Sequence, residues 1–116
     1  MSRVPVLSHE RDMMIQLGAS LLTYERARQI AQEGYSPQHD DTEVQGELAR
    51  AAAAYALASA SGKGWIPLDP SVIWPWAPAD FKPRDARSNL VRAGALILAE
   101  LERLAREDVP AKAASA

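Results

Sequence analysis

All three tryptophans and five of the eight prolines fall between Ser61 and Pro83, in the run SGKGWIPLDPSVIWPWAPADFKP. Proline lacks a backbone donor and clashes with the preceding helical turn, so neither a regular helix nor a central strand can pass through this segment. Its rings bury too much area to be left in water, so the loop should be extended and anchored by its aromatic residues on a core built elsewhere. That core must come from the flanking sequence, which reads as helix.

Upstream, His9 to Glu33 repeats Met13, Met14, Leu17, Leu21 and Ile30 at roughly helical spacing, with Ser8 as the expected N-cap. Gly18 and Thr23 weaken its middle, so it reads as one helix or as two with a break near Thr23. Gly34 is the expected C-cap. YSPQHDD follows as a polar loop, and Thr42 with Gln45 has the form of a capping box opening an alanine-rich helix that ends near Ala60. Leu48, Ala51, Ala52, Tyr55 and Ala58 mark its buried face, and its alanines predict close approach of a neighbouring helix. The last helix is expected from Pro83 or Arg84 to about Arg106, burying Leu90, Ala93, Gly94, Ile97, Leu101 and Leu104, with Glu102 and Arg106 paired along it. The spacing therefore predicts an all-α fold, a small bundle of three or four helices with a long Pro/Trp-rich loop at 61–83. Residues 1–107 form one domain and 108–116 a flexible tail.

At 116 residues there is material for one core only. Much of its apolar content is alanine, with a single phenylalanine, so a homo-oligomer is expected to supply burial that the monomer lacks. The absence of cysteine rules out disulfides and thiolate metal sites and suits a cytoplasmic protein. No export signal is visible, and the longest apolar stretch, Ala93 to Ala99, is far too short to span a bilayer. A net charge of −2 argues against a generic nucleic-acid binder, although Lys82, Arg84, Arg87 and Arg92 form a local basic patch.

Candidate chemistry divides in two. Trp74, Trp76, Phe81, Lys82, Arg84 and Arg87 place flat rings beside cations, which suits stacking on a base and pairing with phosphates. Arg26, Arg28 and Tyr35 could face the same pocket if their helix packs near the loop, and Arg50 is a further contributor. His39 and Asp40 in the adjoining HDD turn complete the predicted ligand-binding set of Arg26, Tyr35, His39, Asp40, Trp74, Trp76, Lys82, Arg84 and Arg87. Opposed to that reading, each tryptophan is also the natural anchor of a long loop, and His39 a natural turn residue. The second possibility is a magnesium site from Glu43, Glu47 and Glu100, although acidic residues in a first helical turn also answer to the helix dipole. No nucleophile elbow, Walker motif or dinucleotide-binding glycine run occurs, so catalytic residues are not assigned, no cofactor is expected outside the magnesium alternative, and the chain reads as a binder more than an enzyme.

The stretches YERARQIAQEGYSPQHDD, GELARAAAAYALA, WPW with FKP, and LVRAGALILAELERL, in that order, resemble a family of small phage and prophage proteins, part of which occurs at the C-terminus of Ead-type early proteins. The resemblance covers about Thr23 to Arg106. It implies residence in the cytoplasm of an infected or lysogenic bacterial host and supplies no activity. Gly34-Tyr35, Asp40-Asp41 and the Trp-Pro-Trp loop are also similar to the ryanodine-receptor repeat domain, linked to adenine-nucleotide binding, but the alanine-rich helix departs from that pattern. MazG-like pyrophosphohydrolases carry paired Glu-x-x-Glu and Glu-x-x-Asp motifs that Glu43, Glu47, Glu100 and Glu102 do not reproduce. The function that these readings imply is a phage-encoded protein sequestering a nucleotide-derived host immune signal, of cyclic nucleotide or cyclic ADP-ribose type. A MazG-like magnesium-dependent pyrophosphohydrolase and a protein-binding inhibitor of a host factor are the alternatives.

Overall fold

The computed structural model describes residues 7–61, 63 and 69–115; Trp65 and its neighbours in the loop lie outside this range. The elements are α1 (Ser8–Glu33), α2 (Pro37–Asp40), α3 (Glu47–Ser59) and α4 (Ala86–Ser115), with 3₁₀ turns at Pro70–Ile73 and Pro78–Asp80 before α4. No strand occurs among the described residues, so the fold is all-α. No helix among them is long and apolar enough to cross a membrane.

The first helix is continuous. Thr23 donates its hydroxyl to the Ala19 carbonyl, 2.9 Å away, which satisfies the side chain without leaving the helix. Leu7, not Ser8, occupies the N-cap, and no side chain caps that end. At the other end Gly34 adopts φ 76°, and the Gln29 carbonyl accepts the Tyr35 N–H at 3.1 Å, closing the helix as the glycine predicts.

The polar loop that follows contains a helical turn, α2. Pro37 starts it, and the Ser36 hydroxyl accepts the His39 N–H at 3.2 Å. The expected capping box does not form. Thr42 instead donates to the His39 carbonyl, and Gly46 at φ 81° turns the chain before α3 begins at Glu47. A helix starting at Thr42 cannot continue through a left-handed residue.

Leu48, Ala51, Ala52, Tyr55 and Ala58 are buried as the spacing predicts. They pack against α4, the most extensive helix pair in the molecule. The face that α4 turns inward differs from expectation: Asn89, Ala93, Leu96, Ala99 and Arg103 are buried, whereas Leu90, Ile97, Leu101 and Leu104 are exposed. An alanine surface on α3 is matched best by small residues, so α4 presents Ala93 and Ala99 there and its bulky stripe turns outward. The predicted Glu102–Arg106 pair is likewise replaced by tertiary bonds, Glu102 to Arg26 and Arg106 to Asp41.

Asp85 caps α4, accepting from the Ser88 hydroxyl and N–H, so the helix starts at Ala86 rather than at Pro83 or Arg84. The helix also runs on to Ser115, beyond the expected end at Arg106, through a stretch rich in alanine, the best helix former.

The described part of the Pro/Trp segment lies on α3 through its rings. Trp74 is 8% exposed and stands edge-on to both Tyr55 and Trp76. Its indole N–H donates to the Ala77 carbonyl at 2.9 Å. The Tyr55 hydroxyl accepts the Lys82 N–H, pinning the far end of the loop to α3. Enlarging Ala51, which is fully buried between α3 and α4, should overpack this seam. Ala51→Leu is expected to destabilise the protein by about 1–3 kcal/mol in urea unfolding, with no loss of helix content at zero denaturant.

Candidate functional site

The predicted binding residues divide into two constellations. The first centres on Arg26, whose guanidinium is 5% exposed with its three nitrogens all engaged. Nε donates to Glu102 at 2.6 Å, one terminal nitrogen to the Tyr35 carbonyl at 2.8 Å, and the other to Asp40 at 2.8 Å. Asp40 is fully buried, and its second oxygen lies 2.9 Å from His39 Nδ1. Arg26 and Asp40 were expected to meet a ligand. The structure withdraws both from solvent and uses their polar atoms to join α1, α2 and α4.

Beside this hub, His39 stacks on Tyr35 with ring centres 5.2 Å apart, and Trp76 closes the trio at 5.3 Å from Tyr35. Glu43 accepts from the Trp76 indole at 3.2 Å and lies 3.3 Å from His39 Nε2. Burial pushes the Glu43 carboxyl above the ordinary glutamate range and neighbouring Glu47 adds to this, whereas backbone hydrogen bonding lowers Glu47. Burial also raises the Tyr35 phenol well above its usual value. Trp74 lies behind this trio in the core, with its indole N–H satisfied internally, so it anchors the loop rather than facing a ligand.

The second constellation is a cleft of about 470 Å³ between α1 and the start of α4. Arg28, Arg84, Arg87 and Arg92 line it with Glu25, Gln32 and Ser88, and Leu21 and Val91 supply apolar wall. Arg28 is held by Glu25 at 2.7 Å and by Glu33 at 2.9 Å, which raises its already high pKa. Arg92 reaches the Tyr55 hydroxyl and the Lys82 carbonyl. Arg84 and Arg87 form no ion pair among the described residues. Lys82 is exposed but does not line the cleft. Gln29 is buried behind the wall, its amide nitrogen 3.4 Å from Glu25 and 3.5 Å from the Arg92 carbonyl, with its oxygen unpartnered by protein.

The composite pocket of tryptophans and cations is therefore not assembled. Arg84 and Arg87 line the cleft, while Tyr35, His39 and Trp76 form a separate surface cluster. Arg92 lines the cleft and reaches the Tyr55 hydroxyl in the core, and its place in the basic run was the sequence signal for it. Arg28 is equally legible as a cation on the exposed flank of α1. Glu25 holds Arg28 from three residues earlier on the same helix, a local spacing that the sequence reading did not use.

The acidic alternative is only partly assembled. Glu43 and Glu47 lie together, but Glu100 is paired with Arg103 at 2.6 Å. Among the described residues no group of three or more histidines and carboxylates is placed to hold a metal. The chain matches no protein-family model, no curated protein and no solved structure.

Removing Asp40 leaves the Arg26 charge buried with a partner lost, so Asp40→Ala should cost about 3–5 kcal/mol in denaturant unfolding. Glu102 is about half exposed, and Glu102→Ala should cost no more than about 1 kcal/mol. A raised folded-state pKa at Glu43 favours folding when the group is protonated and loses that contribution as pH rises. The stability of wild type relative to Glu43→Gln should therefore decline as pH rises from about 4.3, the ordinary glutamate value, through the raised one, as measured by urea midpoints across pH.

Proposed function

We propose that this protein binds a small phosphate-bearing molecule, of nucleotide-derived type, in the arginine cleft between α1 and α4, and holds it without chemical change. The observation that carries this reading is the pair Arg84 and Arg87, two guanidiniums without carboxylate partners opening onto a cleft that four arginines and a single glutamate line. Guanidinium forks match phosphate oxygens bidentately, and the Gln32 amide adds a neutral donor at the same wall. With Trp74 and Trp76 placed elsewhere, selectivity in this cleft rests on the spacing of anionic groups more than on base stacking. Glu25, the one carboxylate in the cleft, is occupied by Arg28, which leaves the cleft without a free general base.

In the phage context that the sequence resemblance implies, a binder of this kind would sequester a host signal of cyclic nucleotide or cyclic ADP-ribose type in the bacterial cytoplasm. Calorimetric titration with a panel of cyclic dinucleotides, cyclic ADP-ribose isomers, ADP-ribose and pyrophosphate tests the proposal. One or more should bind, be recovered intact after the protein is denatured, and bind at least about tenfold more weakly to Arg84→Ala and to Arg87→Ala, as loss of one charged hydrogen bond predicts. Titrations flat across the panel, or turnover of the ligand, would overturn it.

A further inference from the structure

We infer that the protein is a symmetric dimer in which the N-terminal half of α1 from each copy lies across the outer face of α4 of the other. This goes beyond the ligand proposal and does not depend on it. Residues 7–20 are exposed throughout, so about half of α1 projects from the body as an arm. Isolated helices of this length are marginal in water and gain most of their stability by burying an apolar face. The arm has such a face: Met14, Leu17, Leu21 and Tyr24 follow one another at steps of three, four and three residues, and are between 42% and 77% exposed.

A matching stripe runs along the outside of α4. Leu90, Gly94, Ile97, Leu101 and Leu104 alternate steps of four and three, and its four large side chains are 43–58% exposed. This is the spacing at which two helices interlock side by side. The arm leaves the body at one point of this stripe, where Leu22 occupies the space a Cβ on Gly94 would need. A rigid helix that crosses its own α4 at Gly94 cannot also lie along that stripe, whereas the arm of a second copy can. The exchange is reciprocal, so a two-fold axis closes it with no free arm left over.

The areas agree with this occupant. Each of these half-exposed side chains offers on the order of 100 Å² of apolar surface, so the eight large side chains of the two stripes approach the roughly 800 Å² that one partner contributes to a standard interface. The net charge of −2 sets up little repulsion between copies.

The test is sedimentation equilibrium on the full chain, with Leu17→Glu and Ile97→Glu as variants at exposed positions outside the cleft. Wild type should have twice the 12.6 kDa chain mass, and each variant should be monomeric with unchanged helical circular dichroism and a dimer dissociation constant raised at least about 100-fold. A monomeric wild type at about 100 µM, or a dimer that neither variant weakens, overturns the inference. Because the chain has no cysteine, single thiols report the pairing directly. Leu17→Cys mixed with Leu101→Cys should form the heterodisulfide in preference to either homodisulfide, and predominant Leu17→Cys self-linking would overturn the reciprocal arrangement. Ligand titration of Leu17→Glu should match wild type, so failure of the dimer and failure of the cleft proposal are read separately.

Discussion

The buried Arg26 guanidinium decides how the rest of the molecule is arranged. Its three nitrogens reach α4 through Glu102, the end of α1 through the Tyr35 carbonyl, and α2 through Asp40. Each bond has a direction, which apolar packing alone does not supply. The observed crossing of α1 over α4 satisfies all three, and a crossing that breaks them leaves a buried charge short of partners. The same crossing makes the arginine cleft, because it brings Arg28 and Gln32 of α1 opposite Arg84, Arg87 and Ser88.

Alanine has the second large effect. The seam between α3 and α4 is made of Ala51, Ala52, Ala93 and Ala99 around Leu48 and Leu96. Small side chains let the helices approach closely but bury little area apiece, so the stability of this seam depends on fit. Leu90, Ile97, Leu101 and Leu104 of α4 and Leu17 and Leu21 of α1 lie outside it and face outward. Aromatic rings do the remaining work, with Trp74, Tyr55 and Phe81 holding the proline-rich segment against α3.

Chemistry follows from that division. The most concentrated polar network, from Glu102 through Arg26 and Asp40 to His39 and Glu43, is internally satisfied, and its composition resembles a site because buried charges need partners of the same kinds that ligands do. The cleft is less conspicuous in sequence, and its two unpaired guanidiniums are what set it apart. The HDD and WPW strings thus mark the parts that hold the fold together, and the basic run after the loop marks the part that meets solvent.

Sequence alone determined the local features: the all-α class, the glycine end of α1, the buried face of α3 and the irregular aromatic segment. Each is governed by neighbouring residues through backbone sterics, helical periodicity or proline chemistry. It also showed the cations at Arg84 and Arg87, since a basic run is visible without a fold. Tertiary structure decided which face of α4 lies inside, that Arg26 and Asp40 pair with each other, and that Trp74 and Trp76 lie apart from the cleft arginines. The periodicity of α4 supports two apolar faces, one of alanines and one of leucines and isoleucine, and choosing between them requires the shape of the helix opposite. Pairing between residues far apart in the chain has no local signature, because it depends on the crossing geometry that the whole chain settles at once.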